Sequence, residues 1–170
     1  LPATLQPFGE LLVSWSARGE AGQLTGAERV QSTAFLAGDR LMSGFYVNEL
    51  LIKLLPRHDP HPALYDAYAT LVARLHDPAA EPARVLRIFE KRLLEELGWG
   101  LDLVHDAGTG APIEPHRAYR YRIDGGAEAL DGVAEGALVF DGTSLLSLAR
   151  EELADPQNLA DARRLLRAAL

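Results

Sequence analysis

The sequence contains no cysteine and no long apolar run. Without cysteine the chain cannot form disulfide bonds, iron–sulfur clusters, cysteine-ligated zinc sites or a cysteine nucleophile. No apolar run approaches the roughly 18 residues that a transmembrane helix needs, and no signal peptide opens the sequence. We therefore expect no membrane partner and a cytoplasmic location.

Basic residues and catalytic motifs are also scarce. The 170 residues carry 17 lysines and arginines against 24 acidic side chains, which gives a net charge of −7. An acidic chain is poorly suited to phosphate backbones, although a local basic patch can still bind them. No nucleophile elbow or phosphate-binding loop is present, and Gly108-Thr109-Gly110 lacks the third glycine of a dinucleotide fingerprint. We expect no enzyme and no cofactor.

The pattern of apolar and turn residues predicts an α+β protein that is mainly helical. Leu11–Trp15 and Gln23–Val30 indicate two strands, with Gly19 and Gly22 in the turn between them. Two strands are not stable alone in water, so we interpret them as the end of a larger sheet whose beginning is absent.

Residues 40–97 predict three helices. The first covers about 40–55, with Asp39 as its N-cap, and is apolar enough to be buried on most sides. Proline at a first-turn position and glycine after a last turn mark the other boundaries, at Pro62, Pro82 and Gly98.

The remainder predicts a small glycine-rich β insert followed by helices. Tyr119–Ile123 alternates with period two, as a strand with one apolar face does, and Ala137–Phe140 is its expected partner. Asp155-Pro156 is a cap and first residue for the last helix. Because the helical pattern still runs at Leu170, we expect truncation at this end too.

Two groups of histidine and aspartate have spacings found among metal ligands. They are His58, Asp59 and His61 in one loop, and His105, Asp106 and His116 in the glycine-rich segment. A metal-dependent hydrolase is therefore one hypothesis, and a solvated loop is the simpler interpretation of each group.

Arg84, Arg87 and Lys91 recur at helical spacing and predict a line of cations on the third helix. The line adjoins the apolar residues Leu86 and Phe89. An apolar pocket bordered by arginine suits an acidic peptide with an apolar end, because arginine pairs with carboxylates. The alternative is a solvated face whose cations pair with acidic neighbours on the same helix, Glu81 or Glu95.

Short segments along nearly the whole chain match a known family. The most specific is Gly44-Phe45-Tyr46-Val47-Asn48-Glu49-Leu50-Leu51. The others are Leu5-Gln6-Pro7-Phe8, Leu11-Leu12-Val13, Arg87-Ile88-Phe89-Glu90, Leu93-Leu94, Leu97-Gly98, Ala107-Gly108-Thr109-Gly110 and Tyr119-Arg120-Tyr121-Arg122. Together they resemble RecO, a family of bacterial recombination mediators.

The resemblance implies a fold and a set of partners. RecO proteins have an N-terminal OB-fold, a helical domain and a small insert that holds zinc in many members. They bind and anneal single-stranded DNA, engage single-strand-binding protein (SSB), and work with RecR to help load RecA, which implies association with the nucleoid. The implied divisions are the end of the OB-fold in 1–34, a helical domain in 35–99, a zinc-finger-like insert in 100–142, and the last helices of the helical domain in 143–170.

The sequence departs from the family pattern in three ways. We expect that these residues lack most of the OB-fold and also the basic tail that the family pattern has after Leu170. Asp106 and Thr109 stand where the first Cys-x-x-Cys pair would lie, so we expect no zinc.

The resemblance also implies site residues. Arg87 looks like the family arginine that meets the acidic, phenylalanine-terminated tail of SSB. We predict that the same site includes Arg84, Leu71, Val72, Leu75 and Leu86. Arg163, Arg164 and Arg167, expected to lie near one another on the last helix, indicate either a remnant DNA contact or a solvated helix face. The alternative to a mediator is a helical protein-interaction module without DNA function, and salt-sensitive binding of single strands separates the two.

Overall fold

Five helices and two small antiparallel sheets make up the described part of the chain. A computed structural model describes residues 6–18, 21–30, 35–131, 136 and 138–170. The elements are β1 (Leu11–Arg18), β2 (Ala21–Arg29), α1 (Gly38–Leu54), α2 (Pro62–His76), α3 (Pro82–Glu96), β3 (Ala118–Arg122), β4 (Gly126–Ala129), β5 (Val139–Asp141), α4 (Gly142–Ala149) and α5 (Pro156–Ala169). The predicted mainly helical α+β class is confirmed. Within those described ranges, every helix is too short or too polar to cross a membrane.

Local signals predicted most helix boundaries correctly. Proline opens α2, α3 and α5, where its missing N–H leaves no intrahelical bond unmade. The Asp155 carboxylate accepts the Gln157 N–H at 2.8 Å and so caps α5. Gly98 follows the last turn of α3 with φ of +78°, a conformation that glycine adopts without strain. The predicted cap of α1 is wrong, because α1 begins at Gly38 and Asp39 lies inside its first turn.

The first core lies between α1, α2 and α3. Its most buried members include Val47, Leu75 and Leu93, one from each helix. The Tyr68 hydroxyl donates to Asn48 Oδ1 at 2.9 Å, which ties α2 to α1. The prediction that α1 is buried on most sides is wrong: Ile52 is 81% exposed, because α1 packs through a narrow strip against its neighbours.

The guanidinium of Arg40 fixes the turn after α2. Its nitrogens donate to four backbone oxygens, those of Leu75, Asp77, Pro78 and Ala80, at 2.7–3.1 Å. Carbonyls at the end of a helix have no intrahelical donor. Arg40 therefore supplies donors for the end of α2 and orients the chain into α3.

A second core joins the three-stranded sheet to α4 and α5. Tyr119 and Phe140 from the sheet pack with Leu145, Leu165 and Leu94, the last of which comes from α3. The strand order is β4-β3-β5, and the predicted pairing of β3 with β5 is confirmed; the structure shows that this pair is antiparallel. Ala137, at the start of the predicted partner, lies outside the described residues. Strand β4 was not predicted, because its Gly-Ala-Glu-Ala run has no β-branched or aromatic residue.

The two predicted N-terminal strands form an antiparallel hairpin with a bulge between Ser14 and Trp15. Gly19, in its predicted turn, lies outside the described residues. Trp15 is 66% exposed, so the hairpin does not bury its largest side chain. The contact with the helices comes from Phe8, whose ring packs edge-on against Phe45 at 5.4 Å between centroids. Gly44 makes this approach possible, because a Cβ there would lie 2.6 Å from the Phe8 ring.

Candidate functional site

The candidate site is a groove of about 640 Å³ between α3 and α5, closed at one side by Tyr46 of α1. Its floor and walls are apolar and consist of Ala83, Leu86, Ala154, Pro156, Leu159 and Ala160. Its charged groups are Glu81, Arg87, Glu90, Arg163 and Arg167. Three cations thus border an apolar cleft, an arrangement that suits a ligand with an apolar group beside a carboxylate. We call it the α3–α5 groove.

The segment between α4 and α5 forms one end of the groove and is clamped to α3. Glu151 has φ of +59°, and its carboxylate accepts two hydrogen bonds from Arg92, at 2.6 and 3.0 Å. Its backbone oxygen accepts a bond from Arg84 at 3.3 Å. These contacts hold the unusual backbone of Glu151 in place and position Ala154 and Pro156 opposite Leu86.

A buried ion pair lies in the wall of the groove. Arg87 Nη2 donates to Glu90 Oε1 at 2.6 Å, and the Tyr46 hydroxyl donates to the same oxygen at 2.8 Å. The Glu90 side chain is 1% exposed and that of Arg87 11%. The second oxygen of Glu90 and the Nε of Arg87 are buried without a hydrogen-bond partner. The pair is therefore joined by one arm of each group.

Burial dominates the titration of these groups. Desolvation raises the pKa of Glu90, against the opposing effects of Arg87, the Tyr46 hydroxyl and Arg163. Desolvation and the Glu90 charge raise the pKa of Tyr46, which stays a hydrogen-bond donor. A carboxylate with a raised pKa in a cleft is a frequent mark of a functional site.

The structure separates the three cations that the sequence analysis placed on one line. Arg87 lines the α3–α5 groove, whereas Arg84 and Lys91 both reach Glu151 on the neighbouring side of α3. Helical geometry explains this. Arg84 and Lys91 are seven residues apart, nearly two full turns, and so share one side of the helix, whereas Arg87 is three residues from Arg84 and lies about 60° away from that side. Lys91 also pairs with Glu95 at 2.8 Å, as the alternative interpretation expected.

The predicted apolar wall is mostly elsewhere. Leu86 lines the groove, but Leu71 and Leu75 are 2% and 0% exposed in the core between α2 and α3. Val72 packs against the same core. Leu71 and Arg84 do share a second depression, between α2, α3 and the 150–154 segment. The predicted set is therefore divided between two places, because α2 faces the side of α3 away from α5.

The predicted arginine cluster of α5 is also divided. Arg163 and Arg167 are one turn apart and line the α3–α5 groove. Arg164 instead pairs with Asp161 at 2.8 Å and lies over the Phe140 ring, 4.7 Å from its centroid. The expectation that all three lie together is wrong, since one residue of helix rotates a side chain by about 100°.

The histidine groups do not form metal sites in the described residues, where no cluster of three or more potential ligands occurs. His61 lies between two carboxylates, with Nδ1 3.2 Å from Glu96 and Nε2 3.4 Å from Asp59. His105 pairs with Asp102 at 3.2 Å. These contacts join each imidazole to neighbouring carboxylates and leave no arrangement of three ligands among the described residues.

Asp106 takes a structural role at the position where relatives are expected to carry a zinc ligand. Its Oδ1 accepts the N–H groups of Gly108 and Thr109 at 2.8 and 3.0 Å, and its Oδ2 accepts that of Ala129 at 3.0 Å. Both oxygens are thus engaged in joining the turn to β4. This donor set does not fit zinc, which needs further ligands that the described residues of the insert do not bring together.

The second wall of the groove was not predicted from the sequence. Tyr46, Leu159 and the neighbours of Leu159 on α5 lie far in sequence from Arg87. Helical periodicity places Leu159 on the apolar face of its helix but gives no information about which helix that face meets. The i+3 spacing of Arg87 and Glu90 was the one available signal for their pairing.

Comparison with known proteins identifies relatives along the whole chain. The model of the family described as "Recombination protein O C terminal" matches residues 36–170. A protein named "DNA repair protein RecO" from Alkalilimnicola ehrlichii is 49% identical over 169 residues, which cover 98% of this chain and 66% of that protein. Its namesake from Nitrosococcus oceani is 44% identical, covering 96% and 66%. That from Yersinia pestis is 40% identical, covering 100% and 70%. The chain thus spans about two thirds of the length of these relatives.

Proposed function

The chain belongs to the RecO family, and from this premise we propose that it acts in DNA repair as the peptide-binding part of a recombination mediator. The α3–α5 groove holds the acidic, phenylalanine-terminated tail of SSB. The terminal phenylalanine enters between Leu86 and Leu159, and its carboxylate meets the arginines. The observation that carries the proposal is an apolar cleft bordered by Arg87, Arg163 and Arg167.

The charge of the groove favours this ligand over a neutral one. Arg163 and Arg167 are exposed, so their guanidinium groups can contact the acidic residues that precede the terminal phenylalanine. Arg87 is mostly buried and lies at the apolar floor, where a carboxylate is desolvated and a charge-assisted hydrogen bond is strongest. The arginines thus lie at different depths in the groove. The buried one suits the terminal carboxylate of the peptide, and the exposed ones suit the acidic residues before it.

The wider role follows from the family and includes no catalytic step. We propose that the protein binds and anneals single-stranded DNA, engages RecR, and promotes RecA loading by holding SSB while the strand is transferred. Arg163, Arg164 and Arg167 remain the proposed DNA contacts, but Arg164 acts from a separate face. The alternative is a protein-interaction module, whose groove would bind the tail while the protein has no affinity for DNA.

The test is fluorescence anisotropy of a labelled acidic peptide ending in phenylalanine, titrated with the full chain. We expect saturable binding that is lost when the phenylalanine is deleted. Arg163→Ala should weaken binding by about 1–2 kcal/mol, the scale of a partly exposed charge-assisted contact. The matched control is Arg120→Ala, which removes an exposed arginine from β3, outside the groove.

The outcomes separate the hypotheses. Equal affinities of wild type and Arg163→Ala would remove α5 from the site, and absence of saturable binding by the wild type would refute the peptide role. A parallel titration with a labelled single-stranded oligonucleotide tests the DNA role, since binding through phosphates weakens steeply as salt is raised. Peptide binding without DNA binding would favour the interaction module.

A further inference from the structure

Glu90 places a negative charge inside a groove whose proposed ligand is itself negative. It is almost completely buried, and its bonded oxygen is held by Arg87 and Tyr46. An incoming carboxylate that binds Arg87 meets this charge at short range in a poorly hydrated wall. Two like charges in such a site cannot both remain ionised at low cost.

The hydrogen bonding of the pair shows that the contact is incomplete. Arg87 Nε and Glu90 Oε2 both lack partners, although an arginine and a carboxylate can join through two parallel bonds. Buried polar groups without partners are rare in folded proteins. The free protein therefore holds a one-armed pair in which Arg87 retains donor capacity for another carboxylate.

We propose that Glu90 is an autoinhibitory partner of Arg87, which it occupies in the free protein and yields to the carboxylate of the bound peptide while taking up one proton from solvent. The inference rests on the proposed function and concerns the regulation of the same groove. In the complex the Tyr46 hydroxyl still donates to Glu90 Oε1, and the neutral carboxyl no longer repels the ligand.

Proton uptake gives the binding a defined pH dependence. Burial already raises the pKa of Glu90 in the free protein, and a ligand carboxylate beside Arg87 raises it further. Affinity is then greatest in weak acid and falls as pH rises, by at most about tenfold per pH unit for one proton. The groups that face Glu90 belong to three elements: Tyr46 from α1, Arg87 on α3, and Arg163 and Arg167 from α5, with Glu81 at the rim.

The experiment compares wild type with Glu90→Gln, which keeps the shape of the side chain and removes its charge. The probe is the labelled acidic peptide with a free C-terminal phenylalanine, titrated from about pH 5.5, above the ordinary pKa of glutamate, to about pH 8.5. We expect Glu90→Gln to bind about tenfold more tightly than wild type at the upper end and to lose the pH dependence. The same peptide with a C-terminal amide should show little pH dependence with wild type.

The matched control is Glu95→Gln, which removes a carboxylate from the same helix outside the groove. It should leave both affinity and pH dependence unchanged. Weaker binding by Glu90→Gln would overturn the proposal, because Glu90 would then position Arg87 rather than compete for it. A retained pH dependence in that variant would overturn it as well. Failure of wild type to bind at every pH instead refutes the peptide-binding function itself, and this proposal with it.

Discussion

Replacing Arg87 with alanine leaves the Glu90 carboxylate buried without its cation. Removal of one member of a buried pair typically costs about 3–5 kcal/mol. Protonation limits this cost: at pH 7, neutralising a carboxyl whose ordinary pKa is 4.5 takes about 3.4 kcal/mol. The native protein already bears part of this cost, because burial raises the pKa of Glu90 even beside Arg87. We therefore expect Arg87→Ala to lower the free energy of unfolding by about 2–3 kcal/mol at pH 7.

The sign of the pH dependence follows from the raised pKa. The folded state binds the Glu90 proton more tightly than the unfolded state, so stability falls as pH rises above the ordinary value of 4.5. Without Arg87 the pKa of Glu90 in the folded state rises further. The pH range over which the folded state loses stability then extends to higher pH. Near pH 4 the carboxyl is protonated in both states, and the variant should differ from wild type by less than about 1 kcal/mol.

The measurement is urea unfolding followed by circular dichroism at both pH values, with equal slopes required for the comparison. The double variant Arg87→Ala/Glu90→Gln buries no charge and should lose the difference between the two pH values. Lys53→Ala serves as a control, because it removes one member of an exposed ion pair with Glu49 and should change the free energy of unfolding little. An equal loss at pH 4 and pH 7 for Arg87→Ala would show that Glu90 is not its source.

Two further predictions concern the frame around the groove. Arg40→Ala should lower the free energy of unfolding by about 2–4 kcal/mol, since four carbonyl oxygens lose a charged donor; urea unfolding checks this against Arg57→Ala, an exposed arginine that should change little. Asp106→Asn should lower the melting temperature by several degrees at neutral pH. Burial raises the pKa of Asp106, but the backbone hydrogen bonds outweigh it and hold the pKa below 3.8. The stabilisation by ionised Asp106 is therefore present above pH 3.8 and lost as pH falls through the lowered pKa. The difference in melting temperature between wild type and Asp106→Asn should then shrink in acid. A difference that does not change with pH would contradict this account.

Features that depend on neighbouring residues were predictable from the sequence. Proline at the start of α2, α3 and α5, Gly98 after α3 and the Asp155 cap act within one turn, so local rules describe them fully. The pairing of β3 with β5 also followed from alternation of side chains. The cap of α1 was mispredicted by the same rules, because Asp39 has the right chemistry but the helix starts one residue before it.

The candidate site was only partly predictable. Arg87 and Leu86 were assigned to it from helical spacing and family resemblance, and they line the groove. Leu71 and Leu75 were assigned to it from helix geometry, but they are core residues, and helical spacing does not distinguish a pocket wall from an interior. The partnership of Glu90 with Arg87 and Tyr46 joins two helices and was not foreseen.

The sequence by itself determined the class of the fold, the family and the composition of each helix face, because these depend on residue types and their spacing. Only the tertiary structure decided that α5 packs beside α3, that Arg163 and Arg167 join Arg87, and that Arg164 does not. Helical periodicity fixes the angle between side chains on one helix but does not say which neighbouring element each side chain faces. That choice is made by the packing of both cores, in which Leu93 and Leu94 of α3 point to different sides.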